Sequence, residues 1–125
     1  MARGTTISFP STVDELDIED AVFVKSYTSS GSIDALSAVY VDSSGNAVQC
    51  GTGTEEDAVG LATDDVATGV SVDVVHLGNI IPGFTGQTPG TKAYIQTTGA
   101  ISTTVTSYPI GLFVSATQLF ISKNV

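Results

Sequence analysis

Histidine, cysteine and paired carboxylates are the side chains from which hydrolytic and metal sites are built. This chain holds one His, one Cys and thirteen Asp plus Glu. A catalytic imidazole needs a nucleophile within hydrogen-bond reach and a third group to orient it. His76 stands in "DVVHLGN", a strand-like setting, and no nucleophile-elbow pattern accompanies it. It reads as a strand histidine at an edge or a subunit contact. Cys50 lies beside "GTG" with no second cysteine, so an intrachain disulfide and a metal site of His/Cys spacing are both excluded. With no basic neighbour to lower its pKa, Cys50 reads as a small, partly buried apolar residue.

Ten of the thirteen carboxylates cluster in three groups: Asp14, Glu15, Asp17, Glu19 and Asp20; Glu55, Glu56 and Asp57; Asp64 and Asp65. Paired carboxylates can cleave glycosides. Such sites usually carry aromatic platforms as well, and this chain has no Trp, five Phe and four Tyr. The groups therefore read as solvated loop charge, with oxygen-only Ca²⁺ binding left open. "GTGTEE" has neither the Lys nor the spacing of a phosphate-binding P-loop. The expectation is a protein that is not an enzyme and uses no cofactor.

The elements around these residues are strands. At 125 residues the chain has the length of one domain. Hydrophobic residues make up 42% and charged residues only 14%, so Ser, Thr, Gly, Asn and Gln must supply much of the surface. Thr and Val favour strands, and Gly, Ser and Asp favour turns. Net charge is −9 with four scattered bases, Arg3, Lys25, Lys92 and Lys123. That excludes a phosphate-neutralising patch and argues against nucleic acid and anionic membranes as partners. No apolar run approaches the ~20 residues of a membrane helix, and "MARGTTISFPST" lacks the apolar core of a secretion signal.

Residues 1–20 read as an extended N-terminal arm and linker, with a short helical turn near Val13 to Asp17 as one option. Residues 21–125 read as a single β-domain. "AVFVKSY" is strand-like. "AVYVD" and "NAVQC" form a hairpin about "SSG", "AVGLAT" is a buried strand, and "GVSVDVVHLG" alternates. "NIIPGFTGQTPGT" reads as a loop with two Pro-Gly turns. "KAYIQ" and "AISTTV" form a second hairpin about "TTG", and "PIGLFVS" and "QLFISKN" form a last pair. The fold class is all-β, a small barrel or sandwich of about eight to ten short strands.

The chain repeats itself. Tyr40 aligns with Tyr94 and Gly45 with Gly99, while Gly60-Leu61 aligns with Gly111-Leu112 across a shorter loop. The similar halves span roughly residues 38–65 and 92–117. A lone hairpin cannot bury its apolar face, so two such units sharing one core, facing each other about a pseudo-two-fold, is the economical expectation. Gly45, Gly60, Gly99 and Gly111 read as structural, the strand glycines marking a bend or a close backbone approach.

"AVYVDSSGNAV…DAVGLATDDVATGVSVDVVHLGNI" resembles the small capsid cement, or head decoration, proteins of phages. "PGFTGQTPGTKAYIQTTGAIST…PIGLFVSATQLFI" resembles the β-modules repeated in phage head-fibre and tail-fibre proteins. The resemblance covers about residues 21–121. It implies a non-enzymatic virion structural protein on the capsid exterior, assembled in the host cytoplasm. It would bind the major capsid protein, stabilise contacts between its subunits and form a homotrimer. The alternative is a fibre- or tail-associated β-module with a binding role, glycan recognition being one form of it. Candidate contacts are Ile7 and Phe9 on the arm, and Ile80, Ile81 and Phe84 from "NIIPGF".

Overall fold

A computed structural model describes residues 24–125. The arm, its turn near Val13 to Asp17, and Ile7 and Phe9 lie outside the described residues. Ten strands are described: β1 Val24–Thr28, β2 Ala38–Val41, β3 Ala47–Gln49, β4 Gly60–Ala62, β5 Ser71–His76, β6 Ile80–Pro82, β7 Lys92–Ile95, β8 Ile101–Ser102, β9 Pro109–Phe113 and β10 Gln118–Ile121. A 3-10 turn, Glu55–Asp57, lies between β3 and β4. The fold is all-β, in keeping with Val and Thr in its strands and Gly in its turns.

The strands form two five-stranded antiparallel sheets, ordered β1-β5-β4-β2-β3 and β6-β10-β9-β7-β8. Adding five to each number in the first order gives the second, so the chain builds one topology twice. The register agrees residue by residue. Gly60 pairs with Val39 and His76, and Gly111 pairs with Ala93 and Ile121. Tyr40 pairs with Val48, and Tyr94 with Ser102. The two hairpins turn alike. Gly45 N–H donates to the Asp42 carbonyl at φ +84°, and Gly99 N–H donates to the Gln96 carbonyl at φ +90°. The first turn is further fixed by the Asp42 carboxylate, which accepts from the N–H groups of Ser44 and Asn46 at 2.9 Å each.

Gly60 and Gly111 are required by close approach rather than by torsion. A Cβ on Gly60 would collide with the Val75 carbonyl and lie 2.9 Å from its carbon. One on Gly111 would collide with the Phe120 carbonyl and lie 2.9 Å from Leu119 Cδ1. Val75 and Phe120 themselves occupy matching positions on β5 and β10.

Two expectations need correction. Ile80–Pro82 is not loop but strand β6, pairing with β10 through Ile80–Phe120, Ile81–Leu119 and Pro82–Gln118. Proline is admissible there because β6 is the edge of its sheet, where a missing N–H costs no ladder bond. The halves also do not face each other about a two-fold. One core cluster joins Ala38, Leu61 and Val75 of the first sheet to Ile81, Ala93, Ile95, Ile110, Phe113, Leu119 and Ile121 of the second. The first-sheet counterparts of Ala93, Phe113 and Leu119 are Val39, Ala62 and Val74, and these sit in a separate cluster with Ile33, Ala47 and Val72. The inner face of the second sheet therefore rests on the outer face of the first. The modules stack in series: the first keeps a separate apolar cluster of its own, and the core of the second is the one it shares with the first.

Candidate functional site

The residues with chemical potential are dispersed. His76 ends β5, a strand flanked by β1 and β4 rather than an edge. Its Nε2 lies 2.8 Å from the Tyr27 hydroxyl, with the rings tilted and their centroids 5.8 Å apart. Lys25 Nζ lies 5.2 Å from the centroid of the Tyr27 ring. On the other side of β1, the Ser26 hydroxyl hydrogen-bonds the Asp73 carboxylate.

Cys50 is 2% exposed. Burial first, then the negative charge of Asp57 and more weakly that of Glu55, push its thiol up to about 12, against a lowering pull from Lys123. The neutral thiol carries no nucleophilic thiolate near pH 7. Its setting is an interlock between the halves. The Gln49 side-chain amide donates to the Thr98 carbonyl at 2.8 Å, and Ala38 N–H donates to the Gly99 carbonyl at 2.9 Å. A Cβ on Gly99 would collide with the Cys50 carbonyl, so this turn needs glycine for space as well as for φ.

The carboxylates serve loops. Glu55 is buried and accepts from Gly53 N–H at 2.9 Å, and Asp65 accepts from Ala35 N–H at 2.7 Å. Among the described residues, no group of three or more His, Cys, Asp or Glu is placed to hold a metal ion, and no helix is long and apolar enough to cross a membrane. A cleft of about 190 Å³ lies beside Glu55, Tyr108 and Lys123, where Lys123 Nζ donates to the Glu56 carbonyl at 2.7 Å.

The candidate contacts separate by strand alternation. Ile80 points outward and is 41% exposed, while Ile81, next to it, is 1% exposed and belongs to the core. Ile81 is thus withdrawn as a surface contact. Phe84 is half-buried, its ring set edge-on to Phe113 at 5.2 Å, so it seals the core.

What remains is a surface. Ile80, Phe120, Leu112 and Lys92 lie directly opposite one another across four strands of the second sheet, on its outer face. Their first-sheet counterparts are Val24, Val75, Leu61 and Ala38, linked by the same pairings. There Val75, Leu61 and Ala38 are 3%, 0% and 0% exposed, because the second module covers them. In the second sheet Phe120 and Leu112 remain partly exposed, as does Tyr94 on the adjoining pair, and none of the three joins a core cluster. The sequence contained a signal for this row. "GLF" and "LFI" put apolar residues at both parities of their strands, which a one-sided sheet does not need. In comparisons with known proteins, no protein-family model matches the chain and no curated protein matches it.

Proposed function

We propose that this chain is a non-enzymatic structural protein of a phage virion. It would bind the outside of the capsid as a homotrimer and tie neighbouring major capsid subunits together. The supporting observation is the duplicated, serially stacked β-module that leaves one apolar sheet face uncovered by the described residues. A surface of that kind suits adding a folded domain to a preformed assembly. The strand-and-turn likeness to cement proteins points the same way. The test is to mix the purified protein with undecorated capsids and measure bound copies against free concentration. Saturable, stoichiometric binding supports the reading, and no binding at any concentration removes it.

Serial stacking also favours a second reading, a module of a fibre, since units that pile inner face on outer face extend along a line. In that role the protein would bind the fibre or its glycan target and not the shell, which the same assay separates.

A further inference from the structure

The uncovered row and the distribution of charge point to one occupant. All thirteen carboxylates lie at or before Asp73. Residues 1–73 carry a formal −11, thirteen acids against Arg3 and Lys25; residues 74–125 carry +2 from Lys92 and Lys123; together these give the chain's −9. The second sheet consists of β6, β7, β8, β9 and β10, so that whole sheet is built from the acid-free stretch. Its inner face rests on the first module, which places the outer face on the side away from the eight carboxylates of residues 24–73.

We propose that the row Ile80, Phe120 and Leu112, with Tyr94 beside it, is where copies of this chain meet, the second sheets of neighbouring copies turning these outer faces toward one another. Two chains of −9 repel at long range. Contact through this face sets at least a sheet thickness, roughly 10 Å, between the row and the acidic module on each side. The separation across both copies exceeds the Debye length of about 8 Å at physiological salt. Lys92 stands at the β7 end of the row and keeps that end at a wet rim. The precedent is internal: the matching row of the first sheet is already covered by a module of the same chain. This inference rests on the assembly reading above for its three-fold closure, in which three such faces converge on an axis with the acidic modules outside.

The row is short beside the roughly 800 Å² per partner of a stable interface, so association in solution is expected only at micromolar concentration or above. Sedimentation of the full chain over a concentration series should show it. Ile80→Lys and Phe120→Lys should each weaken association by about ten-fold or more, as truncation of a central apolar contact does. Both changes lower the net negative charge, so added repulsion cannot explain the loss. Ile80 is exposed, and its variant should melt like the parent, which guards against Phe120→Lys failing to fold. Val105→Lys, on the β8–β9 loop at a residue 75% exposed, should leave association unchanged. Undiminished association in both row variants overturns the proposal while the shell-binding reading stands. So does a wild-type chain that stays monomeric throughout, or a row whose variants lose shell binding while self-association is intact.

Discussion

Leu36 and Gly90 hold the same position in the two modules, and only one of them is a glycine. Leu36 N–H donates to the Ala62 carbonyl, and Gly90 N–H to that of Phe113. The next residues, Ser37 and Thr91, donate to Asp34 and Thr88 in matching turns. Both positions are left-handed, at φ +62° for Leu36 and +89° for Gly90. Leu36 is the single non-glycine residue with positive φ among the described residues. Its side chain packs on the shared core and, through Cδ1, lies 3.4 Å from where a Cβ on Gly83 would stand. The strain at Leu36 is held by a contact between the first module and the segment that follows β6.

Leu36→Ala should therefore destabilise by about 1–3 kcal/mol, losing packing while keeping the left-handed penalty of about 1–2 kcal/mol. Leu36→Gly loses the same packing but relieves the penalty, and should be no less stable than the Ala variant. Thermal melting of the pair decides; a Gly variant clearly below Ala would show that the turn is not strained.

Gly60→Ala and Gly111→Ala should each cost on the order of 1–3 kcal/mol, because the added carbon collides with a backbone carbonyl across the ladder, that of Val75 or of Phe120, and at Gly111 also crowds the Leu119 side chain. Gly51→Ala is the control, since its Cβ would sit at an ordinary 3.7 Å from the Thr97 carbonyl. Chemical denaturation of the three variants should separate the first two from the third. Equal stability of all three would mean that the ladders shift freely.

The two hairpins, the strand glycines and the duplication were legible because each depends on local signals: a Gly at positive φ in "SSG" and "TTG", and a Gly-Leu pair in an apolar run. The failures were those of context. "NIIP" reads as loop from its Pro-Gly, yet it pairs with β10, a strand some forty residues downstream, as an edge strand where Pro is harmless. The faces of the repeated strands carry apolar residues at both parities, and parity alone does not say which face meets the other module. Leu61 and Leu112 are the same residue in the same place, but one is core and the other is surface. The hydrogen-bond interlock of Gln49 with Thr98 also joins segments that no periodicity links.

Cys50 sets an alkaline limit. Its thiol is pushed up to about 12 in the folded chain, against 9.0 as its ordinary value. A raised folded pKa contributes stability that is fully present below about pH 9 and is lost as pH rises from there toward 12, since the unfolded thiol ionises first. Stability should thus fall above pH 9 by up to about 1.4 kcal/mol per pH unit from this group. Cys50→Ala should flatten that slope relative to the parent. Denaturation midpoints from pH 8 to 11 would show it; parallel slopes would contradict the burial argument.

Salt separates the two forces on self-association. The row is apolar and the chains repel by their net charge, so raising ionic strength from low to physiological should strengthen association. Light scattering across a salt series should show mass increasing. A steady decrease would mean that attraction between opposite charges holds the copies together.

The arm lies outside the described residues, and its expected role is assembly. Deleting residues 1–10 should leave the melting curve unchanged and weaken capsid binding. Binding equal to that of the full chain would remove the arm from the interface.

The central claim is that the chain decorates and strengthens a capsid. A ligand that recognises only the assembled shell stabilises that state, and many copies that each engage several subunits act together. The direct measurement is the lifetime of undecorated capsids at elevated temperature with increasing amounts of the purified chain. The account predicts a lifetime that lengthens and then saturates once bound copies reach a fixed ratio to capsid subunits. Bare and treated capsids that decay at the same rate, with no chain bound, would contradict it.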